Sequence, residues 1–146
     1  MSMKKSLLLL AMAFCVGLVP LKAQRFLTEV FTSFDSTANV QYDTNVTDMT
    51  GAPAASDLFA DIYMPPSSDT MTMRPVVLLA HSGSFLPPVL NGSCTGSKTD
   101  SVVATMCMKF AKRGFVAIAY DYRLGWNPVS PDQDTRTSTL LNAAYR

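Results

Sequence analysis

Histidine is nearly absent from this chain: His81 is the only one in 146 residues, and only three cysteines and one tryptophan accompany it. Cys94, Cys107 and a distant His81 lack the short, regular ligand spacing of a zinc site, so no metal centre is expected. Basic tracts are missing too. The formal charge is +1, and three of the 12 basic residues, Lys4, Lys5 and Lys22, lie in the first two dozen positions. The longest apolar run, Leu7 to Val19, is shorter than the roughly 20 residues a spanning helix needs. No internal repeat is visible. At 146 residues and 48% hydrophobic content, the chain fits one modest domain or a piece of a larger one, and bulk disorder is not expected.

The N-terminus has a recognisable order. MSMKKSLLLLAMAFCVGLVPLKA runs from two lysines through an apolar stretch to a small residue, Ala23. That is the layout of a secretory signal peptide, expected to occupy residues 1–23 with cleavage near Ala23 or Gln24. The protein is therefore expected to be secreted, extracellular or periplasmic. A lipid anchor on Cys15 would want a small residue before it, and Phe14 stands there, so no stable membrane anchor is expected. Losing Lys4, Lys5 and Lys22 leaves nine basic residues against 11 acids, a net charge of −2. Such a surface gives no reason to expect nucleic acid as a partner.

Cleavage would also remove Cys15 and leave Cys94 and Cys107. An even count in an exported chain reads as one disulfide, worth about 3 kcal/mol if unstrained. The alternative is a buried helical Cys107 and a free loop thiol at Cys94. Two glycosylation sequons, at residues 45–47 and 91–93, matter only in a host that uses them.

Residues 24–56 form a polar arm, with patches around Phe34, Val40 and Tyr42 that could make an edge hairpin. From Asp57 the pattern sharpens. DLFADIYMPP alternates and stops at Pro65-Pro66, as a half-buried strand should. PVVLLAH is continuously apolar, which predicts a strand buried on both faces of a parallel sheet. TDSVVATMCMKFAKRG carries Val102, Val103, Met106, Cys107 and Phe110 at helical spacing. Thr99 or Asp100 would cap its start, and Gly114 suits a left-handed exit. FVAIAYDYR is again a strand, so strand, helix and strand predict a right-handed crossover between parallel neighbours. After a polar loop, a second helix is expected from STLLNAAYR, with no glycine or proline to end it before Arg146; the pattern reads as a cut.

His81 and the Ser82-Gly83-Ser84 turn sit at the carboxyl end of the VVLLA strand, where open α/β sheets bind ligands. Gly83 permits a sharp turn and the small serines leave main-chain N–H groups approachable. Amides aimed into a cleft can stabilise an oxyanion during acyl transfer. An ordinary turn with His81 bonded to backbone is the plainer account of the tetrapeptide taken alone.

In their order, LFADIYMPP, RPVVLLAHSGSF and FAKRGFVAIAYDYRLG resemble the N-terminal part of the α/β-hydrolase fold. The similarity is to the carboxylesterase and lipase branch with an HGGG-type oxyanion loop, and it covers about residues 57–146. It implies an α/β fold: the N-terminal portion of a hydrolase sheet, with three to five strands, one complete crossover helix and a second helix truncated. It makes Gly83 and Ser84, with Ser82 adjacent, the oxyanion-loop residues. His81 becomes a turn-holding residue, Asp121 and Tyr122 structural, and Arg123 a support near the loop. The implied substrate is a small-molecule carboxylic ester, hydrolysed through an acyl-enzyme with no metal or organic cofactor.

Two departures follow. Ser82 replaces the glycine usual after the histidine, which puts the loop's backbone in question, since serine tolerates a positive φ poorly. The G-x-S-x-G elbow and its acid and histidine are absent from these residues. Ser82 and Ser84 have no second histidine to act as base. None of the catalytic triad is therefore expected here, and the 146 residues should be inactive alone. A non-catalytic extracellular binding or adhesion module on the same fold is the alternative, and a gene-model fragment is compatible with either. The resemblance also places the third strand between the fourth and the fifth, so VVLLA should be left as an open apolar edge and the fragment should self-associate.

Overall fold

A computed structural model describes residues 25–48, 53–87, 90, 92 and 96–145. Alternation in residues 35–64 builds two antiparallel strands, β1 (Asp35–Thr47) and β2 (Ala54–Met64), so much of the expected arm is part of the sheet. Register shifts between Thr37 and Val40 and between Gln41 and Asp43 bend β1. At the first, Asn39 takes a left-handed φ of 57°, which asparagine tolerates. β3 (Val76–Ala80), α1 (Ser101–Lys112) and β4 (Val116–Tyr120) form the expected crossover, with β3 and β4 parallel. β4 pairs antiparallel with β2 on its other side, giving a four-stranded mixed sheet in the order β1-β2-β4-β3. The class is α/β. A second helix, α2 (Gln133–Tyr145), follows β4.

The core lies under one face of the sheet. Val103, Cys107 and Ala111 of α1 pack with Tyr63, Ala117 and Ala119. Cys107, Ala111, Ala117 and Ala119 are all 0% exposed. Small residues on both surfaces let the helix approach the strand closely. The buried stripe of α1 is rotated from the expected one: Val102 and Met106 are exposed, and Ala111 takes the place that helical spacing assigned to larger neighbours. Gly114 leaves the helix at φ 102°, and a Cβ there would come within 2.6 Å of Arg25 Nε, so the expected glycine exit holds for two reasons.

Other expectations are corrected. β3 is not buried on both faces. Val76, Leu78 and Ala80 point to an uncovered face, while Val77 and Leu79 face α1 and are half-buried. The reason is position: β3 is at the sheet edge, and α1 covers only one side. Asp100 precedes α1 but makes no capping bond; its carboxylate accepts from the Gly96 N–H at 3.0 Å instead. α2 begins five residues before the expected Ser138. Asp132 caps it, accepting from the Thr135 N–H at 2.8 Å, a capping signal hidden in the apparent loop PDQDT. Cys107, expected to pair with Cys94, is a free thiol in the core, with its pKa pushed up to about 11 by burial. Cys94 lies outside the described residues, as does the expected leader. Among the described residues no helix is long and apolar enough to cross a membrane.

The N-terminal segment closes the far end of the crossover. The N–H groups of Phe26, Val30 and Phe31 donate to the carbonyls of Arg113 and Lys112, which the end of α1 leaves without helical partners. Arg25 then grips Asp69 through two parallel bonds, at 2.8 and 2.6 Å, and Arg74 adds a third at 2.8 Å. The Asp69 side chain is 4% exposed. Arg25 first, and Arg74 after it, hold this carboxyl well below its ordinary value of 3.8. A depressed carboxyl stabilises the fold fully above its unfolded-state pKa, and the contribution fades as pH falls towards the folded-state value. Asp69→Asn should therefore cost about 3 kcal/mol at neutral pH, by leaving two cations without their buried anion. Urea unfolding at neutral and at acid pH is the check: the variant and the parent should converge as the solution is acidified.

Candidate functional site

The carboxyl ends of β3 and β4 meet the start of α1, so three loops converge there. His81 ends β3 with its side chain 0% exposed. Its Nδ1 lies 2.7 Å from the Ser82 carbonyl oxygen. A carbonyl only accepts, so Nδ1 carries the proton. The ring stacks on Tyr122 at 4.2 Å between centroids, and the Tyr122 hydroxyl donates to the His81 carbonyl at 3.0 Å. Nε2 is buried with no hydrogen-bond partner and lies 3.9 Å from Asp121 Oδ1. These contacts fix the ring against the strand end. No hydrogen bond joins His81 to a serine hydroxyl among the described residues.

Past His81 the backbone turns through three successive positive φ values: 132° at Gly83, 52° at Ser84 and 59° at Phe85. Left-handed φ costs a non-glycine residue of order 1 kcal/mol. Ser82, which stands in place of the usual glycine, is not among the positive-φ residues; the unusual geometry falls on Ser84 and Phe85. The loop is pinned from both sides. The Leu86 N–H donates to the Gly83 carbonyl at 2.9 Å, and Gly125 and Trp126 both donate to the Phe85 carbonyl. The amides of Gly83 and Ser84 donate to no other described residue.

A buried polar network that sequence reasoning missed supports the same end of the sheet. Lys98 Nζ donates to Asp61 Oδ1 at 2.6 Å and to Asn39 Oδ1 at 2.9 Å. The Lys98 backbone N–H donates to Asp121 Oδ1 at 2.8 Å. Both ends of the ion pair are buried, at 5% for Lys98 and 6% for Asp61. Asp61 also accepts from the Asn39 N–H at 2.8 Å, so the bulge in β1, the middle of β2, the loop before α1 and the end of β4 are held by one cluster. The one available signal was an acid in an alternating strand, Asp61, flanked by residues destined for burial.

Arg123 is buried, and its guanidinium reaches β1. Nη1 donates to Asn45 Oδ1 at 3.2 Å and to the Val46 carbonyl at 3.1 Å. Asn45, the first sequon asparagine, is thus held in a strand; the second, Asn91, lies outside the described residues. Tyr42 crosses over to donate to the Asp121 carbonyl.

His81 and Arg123 line one cleft of about 560 Å³, walled by Tyr42, Phe85, Tyr120 and Tyr122. Ser82 lines a different hollow, between β3 and the start of α1. The structure therefore brings His81, Arg123 and the tyrosines together and sets Ser82 apart from them. The cleft has aromatic walls, and it holds no nucleophile–base pair among the described residues. Comparison with protein-family models, with curated proteins and with solved structures finds no match.

The loop's conformation carries a testable consequence. At φ 132° an alanine is strained whatever the space around it, so Gly83→Ala should lose about 1–3 kcal/mol. Ser84→Gly relieves a left-handed residue and should be neutral or slightly stabilising. Thermal unfolding should show a clear loss for Gly83→Ala and none for Ser84→Gly; equal losses would mean that the loop does not hold these φ values in solution.

Proposed function

We propose that residues 57–146 are the N-terminal part of an exported serine carboxylic-ester hydrolase of the α/β-hydrolase fold. In this reading they supply the oxyanion loop through Gly83 and Ser84, with Ser82 adjacent and His81 as the anchor. The observation that carries it is the His81–Phe85 turn at the carboxyl end of β3, with three positive φ values in a row and two amides that donate to no described residue. Preorganised main-chain donors of this kind lower the barrier by meeting negative charge where it develops, at no cost of reorganisation during the reaction. The strand arrangement supports the same reading. The resemblance puts the third strand beside the fourth with a fifth on its other side, and β3 lies beside β4 with its outer edge open.

The serine, acid and histidine of the triad are assigned to sequence beyond Arg146. His81 is not assigned as the base of such a triad: its Nε2 is buried beside Asp121, and no described serine hydroxyl bonds it. Oxyanion donors without a nucleophile leave only residual catalysis. A second reading, a non-catalytic extracellular binding module on the same fold, is favoured by that same absence of a nucleophile–base pair among the described residues.

The experiment is an esterase assay on two chains. These 146 residues should release p-nitrophenol from short acyl esters no faster than buffer does, with no burst. The chain lengthened by its downstream reading frame should turn over, and should lose activity when the elbow serine becomes alanine. A lengthened chain with a sheet but no elbow serine would favour the binding module. Fast serine-dependent hydrolysis by the 146 residues alone would contradict both readings.

A further inference from the structure

His81 and Asp121 meet as two acceptors. With its Nδ1 proton directed at the Ser82 carbonyl oxygen, the neutral ring offers only a lone pair at Nε2. That nitrogen is buried with no hydrogen-bond partner among the described residues, and Asp121 Oδ1 lies 3.9 Å from it. An ionised carboxylate has no proton to give, so neither group satisfies the other. A buried acceptor left in this state costs the fold free energy. The ring is held in place by its stack on Tyr122, with 13° between the planes. Asp121 has the room to move, its side chain 29% exposed against 0% for His81.

We propose that this pair is an acid-operated clip: a proton taken up from solvent at His81 Nε2 joins the ring to Asp121 and ties together the two ends of the β3–α1 connection. Nδ1 keeps its proton and its bond to Ser82, Nε2 gains an N–H, and no other bond has to break. Closing from 3.9 Å to about 2.8 Å makes a charge-assisted hydrogen bond. The Asp121 carboxylate already accepts from the Lys98 N–H, and Lys98 is fixed in turn by Asp61 and Asn39. With the ring neutral, no hydrogen bond among the described residues joins residues 81–86 to residues 96–100. With the ring protonated, Asp121 bridges them.

The surrounding ionisable groups leave Asp121 as the partner. Among the described residues it is the only carboxylate in ion-pair range of the ring. From β1, Tyr42 gives its hydroxyl to the Asp121 carbonyl, and Asp43 lines the cleft that His81 lines. Arg123 lines it too, and as a cation it opposes a second positive charge. Asp100, at the start of α1, accepts from the Gly96 N–H, and α2 brings only Ala143 and Ala144 to the cleft. The clip is complete within residues 39–123 and does not depend on the ester-hydrolase reading.

An NMR titration of the chain reads the clip directly, because His81 is the only histidine and its imidazole signals are unambiguous. Between about pH 8 and pH 4 the ring should pass from the Nδ1–H tautomer to the doubly protonated form. The Lys98 amide should shift with the same midpoint, and the new Nε2 proton should exchange slowly with solvent. Asp121→Asn keeps an oxygen for the Lys98 N–H but removes the charge. It should lower the imidazole midpoint by about one pH unit or more and uncouple the Lys98 amide from the ring. Asp43→Asn should lower the midpoint far less. The Lys98 amide and the Nε2 proton are read in the parent chain, so the clip stays testable if Asp121→Asn unfolds. A ring that stays in one state throughout, a midpoint indifferent to Asp121→Asn or lowered equally by Asp43→Asn, or a parent Lys98 amide that does not follow the ring would each overturn the proposal.

Discussion

Everything at the His81 end of the sheet depends on β4 lying between β2 and β3. That placement makes β4 the central support: Ala117 and Ala119 are fully buried beneath α1, and the strand is bonded on both sides. The crossover from β3 over α1 to β4 then has to deliver two strand ends and one helix start to the same place. The His81–Phe85 turn, Lys98 and the Asp121–Arg123 stretch come together there because β3 and β4 are parallel neighbours whose carboxyl ends lie side by side, not because they are near in sequence.

Buried charge is how that convergence is held. A lysine and an aspartate taken out of water cost several kcal/mol each unless paired closely and given further hydrogen bonds. Asp61 and Lys98 meet that condition with Asn39, and the Lys98 main chain passes the constraint on to Asp121. Because breaking such a pair is far costlier than never having it, the cluster gives β1, β2, α1 and β4 a single relative register. The Arg25–Asp69–Arg74 group does the corresponding work at the opposite end of the sheet.

The parts legible in the sequence were those set by local periodicity and by single special residues. β2, β3, α1 and β4 each follow from a run of about a dozen residues or fewer, and Gly114 and Gly83 sit where the backbone needs a positive φ. What was not legible depends on partners far along the chain. Asp61 and Lys98 are 37 positions apart, and Arg123 reaches Asn45 across 78. Neither pairing has a local signature. The two faces of β3 could not be told apart either, because a five-residue apolar run looks alike whether it is central or at an edge. The buried side of α1 was misjudged for a related reason: it is chosen by the alanines of β4, and small residues leave little trace in a hydrophobic pattern.

The central claim is that the Gly83 and Ser84 amides are aimed at a reacting oxygen. Nitrogen-15 NMR of the lengthened chain, with its elbow serine carrying a phosphonate, tests it most directly. The account predicts that the Gly83 and Ser84 amide protons move well downfield as they bond the phosphonyl oxygen, while Gly114, at the far end of α1, stays in place. Unchanged Gly83 and Ser84 resonances in a fully phosphonylated protein would contradict it.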